Sequence, residues 1–137
     1  MKRNLGLVVS LALITTALAS GQTMPEKRSV AEIGADGVQR VEILGGGYFF
    51  DPNVIVVKVN VPVELRVRKE SGVTPHNIVL KAPEAGIDFS VSLGTTPKSI
   101  TFTPTKTGKF PFECTHKLLF FKSHKDRGMH GILEVVD

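Results

Sequence analysis

Among its 137 residues the chain has a single cysteine, Cys114, so no internal disulfide can form. In an exported protein such a leftover thiol is a liability unless a metal occupies it or the core hides it. A membrane-spanning run is also missing. Leu5–Leu18 is free of charge but only 14 residues long, short of the roughly 20 that a bilayer-crossing helix needs. No window keeps a helical hydrophobic period beyond about two turns. Nothing repeats, and there is no low-complexity or Met/His-rich tract. A large excess of one charge is absent too: 17 basic side chains face 13 acidic ones. That balance argues for neither nucleic acid nor membrane binding.

What is present begins with an export signal. Lys2 and Arg3 precede the apolar run, and Ala17-Leu18-Ala19 has the small-x-small form of a signal peptidase site. Cleavage is expected after Ala19, giving a periplasmic protein. No cysteine lies near that point to take a lipid anchor. The mature chain of 118 residues has the size of one domain with one core, and its net charge falls to +2. Residues 20–37 are polar and mixed, and read as a flexible leader. Residues 38–137 form the domain.

From Val38 onward the hydrophobic period is two. Val63, Leu65 and Val67 alternate with Glu64, Arg66 and Arg68, and Ile55, Val57, Val59 and Val61 form one face of the preceding strand. Val41–Leu44, Ile78–Leu80, Ser99–Thr103, Lys109–Cys114 and Ile132–Val136 continue the pattern, with proline and glycine in the gaps. The fold class is therefore all-β, a sandwich or barrel. Ala82–Gly94 is ambiguous between an edge strand carrying Val91 and Leu93 and a long surface loop. Pro111 inside a strand pattern points to an edge position or a bulge.

The chemistry is concentrated in Cys114–Gly131, CTHKLLFFKSHKDRGMHG. This segment holds the only cysteine, three of the four histidines (His116, His124, His130) and Met129. Thiolate, imidazole and thioether are soft donors that select copper or zinc over calcium or magnesium. Parity turns Cys114 inward with Phe110 and Phe112. It likewise turns His76 inward with Ile78 and Leu80. Each residue alone fits a packing role, since lone buried Cys and Met are common core fillers. An inward cysteine followed by several histidines and Gly-Met-x-Gly fits a metal site better.

Taken together, Tyr48-Phe49-Phe50-Asp51-Pro52, His76-Asn77, Cys114, His124 and Met129 resemble the cupredoxins, the family of plastocyanin and azurin. The resemblance spans Val38–Asp137 and implies a Greek-key β-sandwich binding one copper ion. The implied ligands are His76, Cys114 and His124 with Met129 axial, the His₂Cys set with a long axial Met of blue-copper sites. It also implies a hydrogen bond from Asn77 to the Cys loop at Thr115. Nine residues, Thr115–Ser123, separate Cys114 from His124, more than in plastocyanin or azurin, so His116 and His130 stand as alternatives. Against them, Cys114-x-His116 would force a tight backbone reversal, and His130 directly follows Met129.

The implied function is a monomeric one-electron carrier for redox protein partners, and the alternative is a copper carrier or sensor. An enzyme is disfavoured because Met129 would fill the open coordination position, and a binuclear centre would need a second cysteine. Leu118-Leu119-Phe120-Phe121 reads most simply as a plug for the core under the long loop. The sharper reading is an apolar docking patch rimmed by Lys117, Lys122, Lys125 and Arg127, which would steer an acidic partner.

Overall fold

A computed structural model describes residues 24–137. The expected signal peptide, residues 1–19, lies outside the described residues. Eleven strands follow in order: β1 (Arg28–Val30), β2 (Glu32–Ile33), β3 (Gln39–Gly46), β4 (Phe49–Asp51), β5 (Val54–Lys58), β6 (Val63–Lys69), β7 (Asn77–Ala82), β8 (Ile87–Ser92), β9 (Lys98–Phe102), β10 (Gly108–Glu113) and β11 (His130–Val136). No α-helix occurs among the described residues, and a single 3₁₀ turn, Pro83–Ala85, links β7 to β8.

The strands form two sheets. One has the order β1-β5-β11-β10-β7-β8; the other runs β2-β3-β6-β9, with β4 on β3. Alternation along β3 and β6 sends Val41, Ile43, Leu65 and Val67 inward, against Ile55, Val57, Ile78, Leu80, Phe112, Leu133 and Val135 of the facing sheet. Burying one apolar face of each sheet in this way is the main stabilising term for such a sandwich. Gln39, fully buried on the inward parity of β3, is satisfied by the backbone. Its Nε2 donates to the Lys58 and Val61 carbonyls at 2.9 and 3.1 Å, and its Oε1 accepts from Lys58 N at 2.6 Å.

Two sequence expectations change here, and one open alternative is decided. The segment read as a flexible leader supplies β1, paired in parallel with β5, and β2, paired with β3. These strands are held by backbone bonds and salt bridges such as Arg28–Glu134 at 2.6 Å, which leave no hydrophobic period to read. Ala82–Gly94 resolves into the edge strand β8, with Ile87 and Phe89 buried. Pro111 sits in β10, which has neighbours on both sides. Because Cys114 N donates to Met129 O across the β11 side, alternation points the Pro111 nitrogen toward β7. There the ladder is confined to Glu113↔Val79, so the missing donor breaks no bond.

Candidate metal centre

Two strand ends and one loop converge at one end of the sandwich. His76 immediately precedes β7 and keeps the parity of buried Ile78 and Leu80. It is itself buried, and its carbonyl accepts from Leu93 N at 2.9 Å. Cys114 immediately follows β10, continues the parity of Phe112, and is fully buried. The Glu113↔Val79 pairing continues in antiparallel sense to set Asn77 opposite Thr115. The two side chains use that register. Asn77 Nδ2 donates to Thr115 Oγ1 at 2.8 Å, and Thr115 N donates to Asn77 Oδ1 at 2.8 Å.

The loop brings the remaining donors back. Two backbone bonds pinch it: Cys114 N to Met129 O at 3.0 Å, and His124 N to His116 O at 3.0 Å. A turn follows, in which the His124 carbonyl accepts from Arg127 N and Met129 N, and Gly128 takes φ 111°. Glycine adopts that left-handed conformation without steric cost. Met129 is thereby drawn under the loop and fully buried. A Cβ on Gly45 would come within 3.2 Å of the Met129 terminal methyl and 2.8 Å of Leu93 Cδ1. The bare glycine is what leaves room for the thioether.

His76, Cys114 and His124 form one cluster of metal-competent donors. His76 Nδ1 and His124 Nδ1 are 3.2 Å apart, and Cys114 Sγ lies 4.0 Å from the first and 3.5 Å from the second. A circle through donors at these separations has a radius of about 2.1 Å, matching zinc–ligand bonds of about 2.0–2.1 Å to imidazole and 2.3 Å to thiolate. The triangle thus fits a transition-metal ion with two nitrogen donors and one sulfur. Calcium and magnesium, which demand oxygen, are poorly served by this set.

The other histidines stand apart. The His116 ring centroid lies 6.0 Å from that of His124, and His116 is not part of the donor triangle. His130 opens β11, opposite Glu113, and is exposed.

Burial pushes the His76 imidazole down from 6.5 to about 4, with nearby His124, Lys69 and His116 adding to the effect. Burial also lowers His124, with His116 and Arg127 contributing. Both rings are therefore neutral near pH 7, the form in which imidazole can ligate a metal.

One contact escaped the sequence reading. Tyr48, at φ 63°, sets its ring edge-on to both histidines, 4.9 Å from His124 and 6.2 Å from His76 between centroids. The Arg127 guanidinium lies 4.7 Å above the same ring. The run Gly45-Gly46-Gly47 before it was the available signal, since such a run marks a special backbone turn. Leu118–Phe121, read as a core plug, is instead exposed: 64%, 76%, 101% and 59% along the run. The pinch between His116 and His124 holds this stretch outside the sandwich, so its hydrophobicity cannot draw it in.

No family model matches the chain, and no curated protein matches its sequence. Its fold, however, is shared with solved structures. The metal-binding domain of the Cu(I)-exporting P-type ATPase CopA from Streptococcus pneumoniae D39, solved with Cu(I), superposes with a TM-score of 0.64 at 19% identity, covering 83% of this chain and 100% of that one. Reduced auracyanin from Roseiflexus castenholzii gives 0.56 at 22% identity, over 76% and 100% of the two chains. Auracyanin A, a "blue" copper protein from Chloroflexus aurantiacus, gives 0.55 at 21%, over 73% and 100%. The architecture is that of the cupredoxins, an all-β sandwich with mixed sheets.

Proposed function

We propose that the chain binds one copper ion through His76, Cys114 and His124, with Met129 as a weak axial donor, and serves as an exported one-electron carrier. The observation that carries this reading is the buried triangle of two imidazole nitrogens and one cysteine sulfur, with Met129 fully buried on the same loop. Bound copper would supply a single electron by alternating between Cu(I) and Cu(II). Everything else is the work of the chain. Cys114 presents its sulfur inside an apolar core that excludes water. Phe112, on the same face of the strand, is buried and meets Phe50 edge-on at 5.3 Å. The Asn77–Thr115 pair ties the strand end bearing His76 to the one bearing Cys114, so the donors keep their spacing whatever the charge at the centre. A geometry held in this way keeps reorganisation small, which is what electron transfer requires.

The reading includes the rest of the expected picture: export with cleavage after Ala19, action as a monomer, and transfer to redox protein partners without catalysis of its own. Likeness to the metal-binding domain of a Cu(I) exporter supports a second reading, a carrier that hands copper on.

The test is optical. Copper(II)-loaded protein should show an intense thiolate-to-copper band that vanishes in Cys114→Ser. His124→Gly should recover a similar band when imidazole is added. Loss of the band in His116→Ala but not in His124→Ala would refute the ligand set. Reduction should bleach the colour, and reoxidation should restore it without added copper. Release of copper to a moderate chelator on each reduction would favour the carrier instead.

A further inference from the structure

The most unusual surface of the molecule is the tip of the long loop. Leu118–Phe121 forms a tight turn closed by Phe121 N donating to Leu118 O at 2.9 Å, with Leu119 at φ 44°. Turns in water are built from Gly, Asn, Asp, Pro and Ser, each for a physical reason. Here all four positions are large and apolar, and Phe120 is as exposed as a side chain can be, at 101%. Val73, at 102%, stands on the facing loop and lines the same groove as Leu118 and Phe121. The result is an exposed apolar crest beside that groove.

Charge along the loop that carries the tip has one sign. No acidic residue occurs from Thr115 to Lys125, and Lys117 and Lys122 bracket the apolar four. Neither lysine makes a salt bridge among the described residues, whereas Lys125 is paired with Glu113 at 2.6 Å. The nearest other acid, Asp126, is engaged by Ser123, with Lys125 and Lys117 lowering its carboxyl further.

We propose that the Leu118–Phe121 tip is a docking element for an anionic lipid surface, its apolar side chains entering the headgroup boundary while Lys117 and Lys122 meet lipid phosphates. Composition favours this occupant over a protein. Interface cores enrich phenylalanine but deplete lysine, and their energetic anchors are Trp, Tyr and Arg with leucine under-represented. Surface-seeking membrane elements instead combine Leu and Phe with flanking lysines. The inference stands apart from the copper reading, since none of Leu118–Phe121, Lys117 or Lys122 is among the proposed ligands.

The chain contains no tryptophan, so Phe120→Trp in the full chain installs a single reporter at the tip, at a position where nothing packs. Added to phosphatidylcholine vesicles containing phosphatidylglycerol, its emission should shift to the blue and be quenched by bromine-labelled acyl chains. Neutral phosphatidylcholine vesicles should produce neither effect. In the same background, Lys117→Glu with Lys122→Glu should weaken partitioning by roughly tenfold or more. An indole that stays water-exposed on anionic vesicles overturns the proposal, even if the protein sediments with them through residues 5–18. So does a blue shift that grows with protein concentration in lipid-free buffer, which would assign the crest to a second copy of the chain.

Discussion

Asn77→Ala probes how the donor spacing is held. The substitution removes both bonds of the clamp, Nδ2 to Thr115 Oγ1 and Thr115 N to Oδ1, each 2.8 Å. A typical intramolecular hydrogen bond contributes about 0.5–1.5 kcal/mol net, so the metal-free protein should lose about 1–3 kcal/mol. Thr115 is exposed, so water can satisfy its freed N–H, which places the expected loss in the lower half of that range. For a domain near 100 residues each kcal/mol lowers the melting temperature by about 4–8 °C. Scanning calorimetry of the metal-free protein would read this directly. Thr115→Val removes only the hydroxyl acceptor, so a double-mutant cycle isolates the Nδ2–Oγ1 bond with an expected coupling of about 1 kcal/mol. Copper affinity, measured by chelator competition, should fall in the same variants because the strand ends carrying His76 and Cys114 are no longer tied together. If the two substitutions are additive and affinity is unchanged, the clamp does not set the spacing and this reasoning fails.

Three further outcomes are expected. In Gly131→Ala the new Cβ would meet Phe112 Cζ at 2.3 Å and the Asn53 carbonyl at 2.5 Å; overpacking of this kind costs about 1–3 kcal/mol, visible as a lower denaturation midpoint, and an unchanged midpoint would refute the packing. In metal-free protein the His76 imidazole lies near 4 when folded against an ordinary 6.5. As pH falls below 6.5 the unfolded chain therefore takes up the proton first, and stability drops through the window from 6.5 to 4. His76→Leu should flatten that part of the urea-midpoint profile, and retention of the slope would assign it to other groups. Met129→Leu should leave copper bound but raise its reduction potential, because it removes a weak axial donor that favours Cu(II); spectroelectrochemical titration checks the direction.

Much of this architecture was legible from parity alone. Alternation in Val63–Arg68 marks β6, and the same counting turns Cys114 and His76 inward, where both are buried. The Asn77–Thr115 contact was reached through family resemblance and is present. Two features were not legible, each for a definite reason. The segment containing β1 and β2 is held by backbone bonds and exposed ion pairs, and such contacts leave no trace in a hydrophobic pattern. Leu118–Phe121 carries a strong apolar signal that ordinarily means burial. Its exposure follows from a backbone bond eight residues long, His124 N to His116 O, which composition cannot announce. The role of Tyr48 depends on a left-handed backbone at a non-glycine residue, an uncommon conformation that sequence rarely betrays.

The double pinch of the long loop bears on how such a domain can vary. β10 and β11 pair without interruption from Gly108↔Val135 to Glu113↔His130, and Cys114 N to Met129 O closes the hairpin above them. The His116–His124 bond then closes a smaller ring around residues 117–123. Sheet register is thus settled below the first closure, and the closing residues themselves include Cys114, Met129 and His124. The segment above is an exchangeable part. Doubling the length of a flexible loop adds only about 0.6 kcal/mol of closure entropy. Transplanting a shorter or chemically different tip should therefore change what the protein attaches to while its metal chemistry stays as it was.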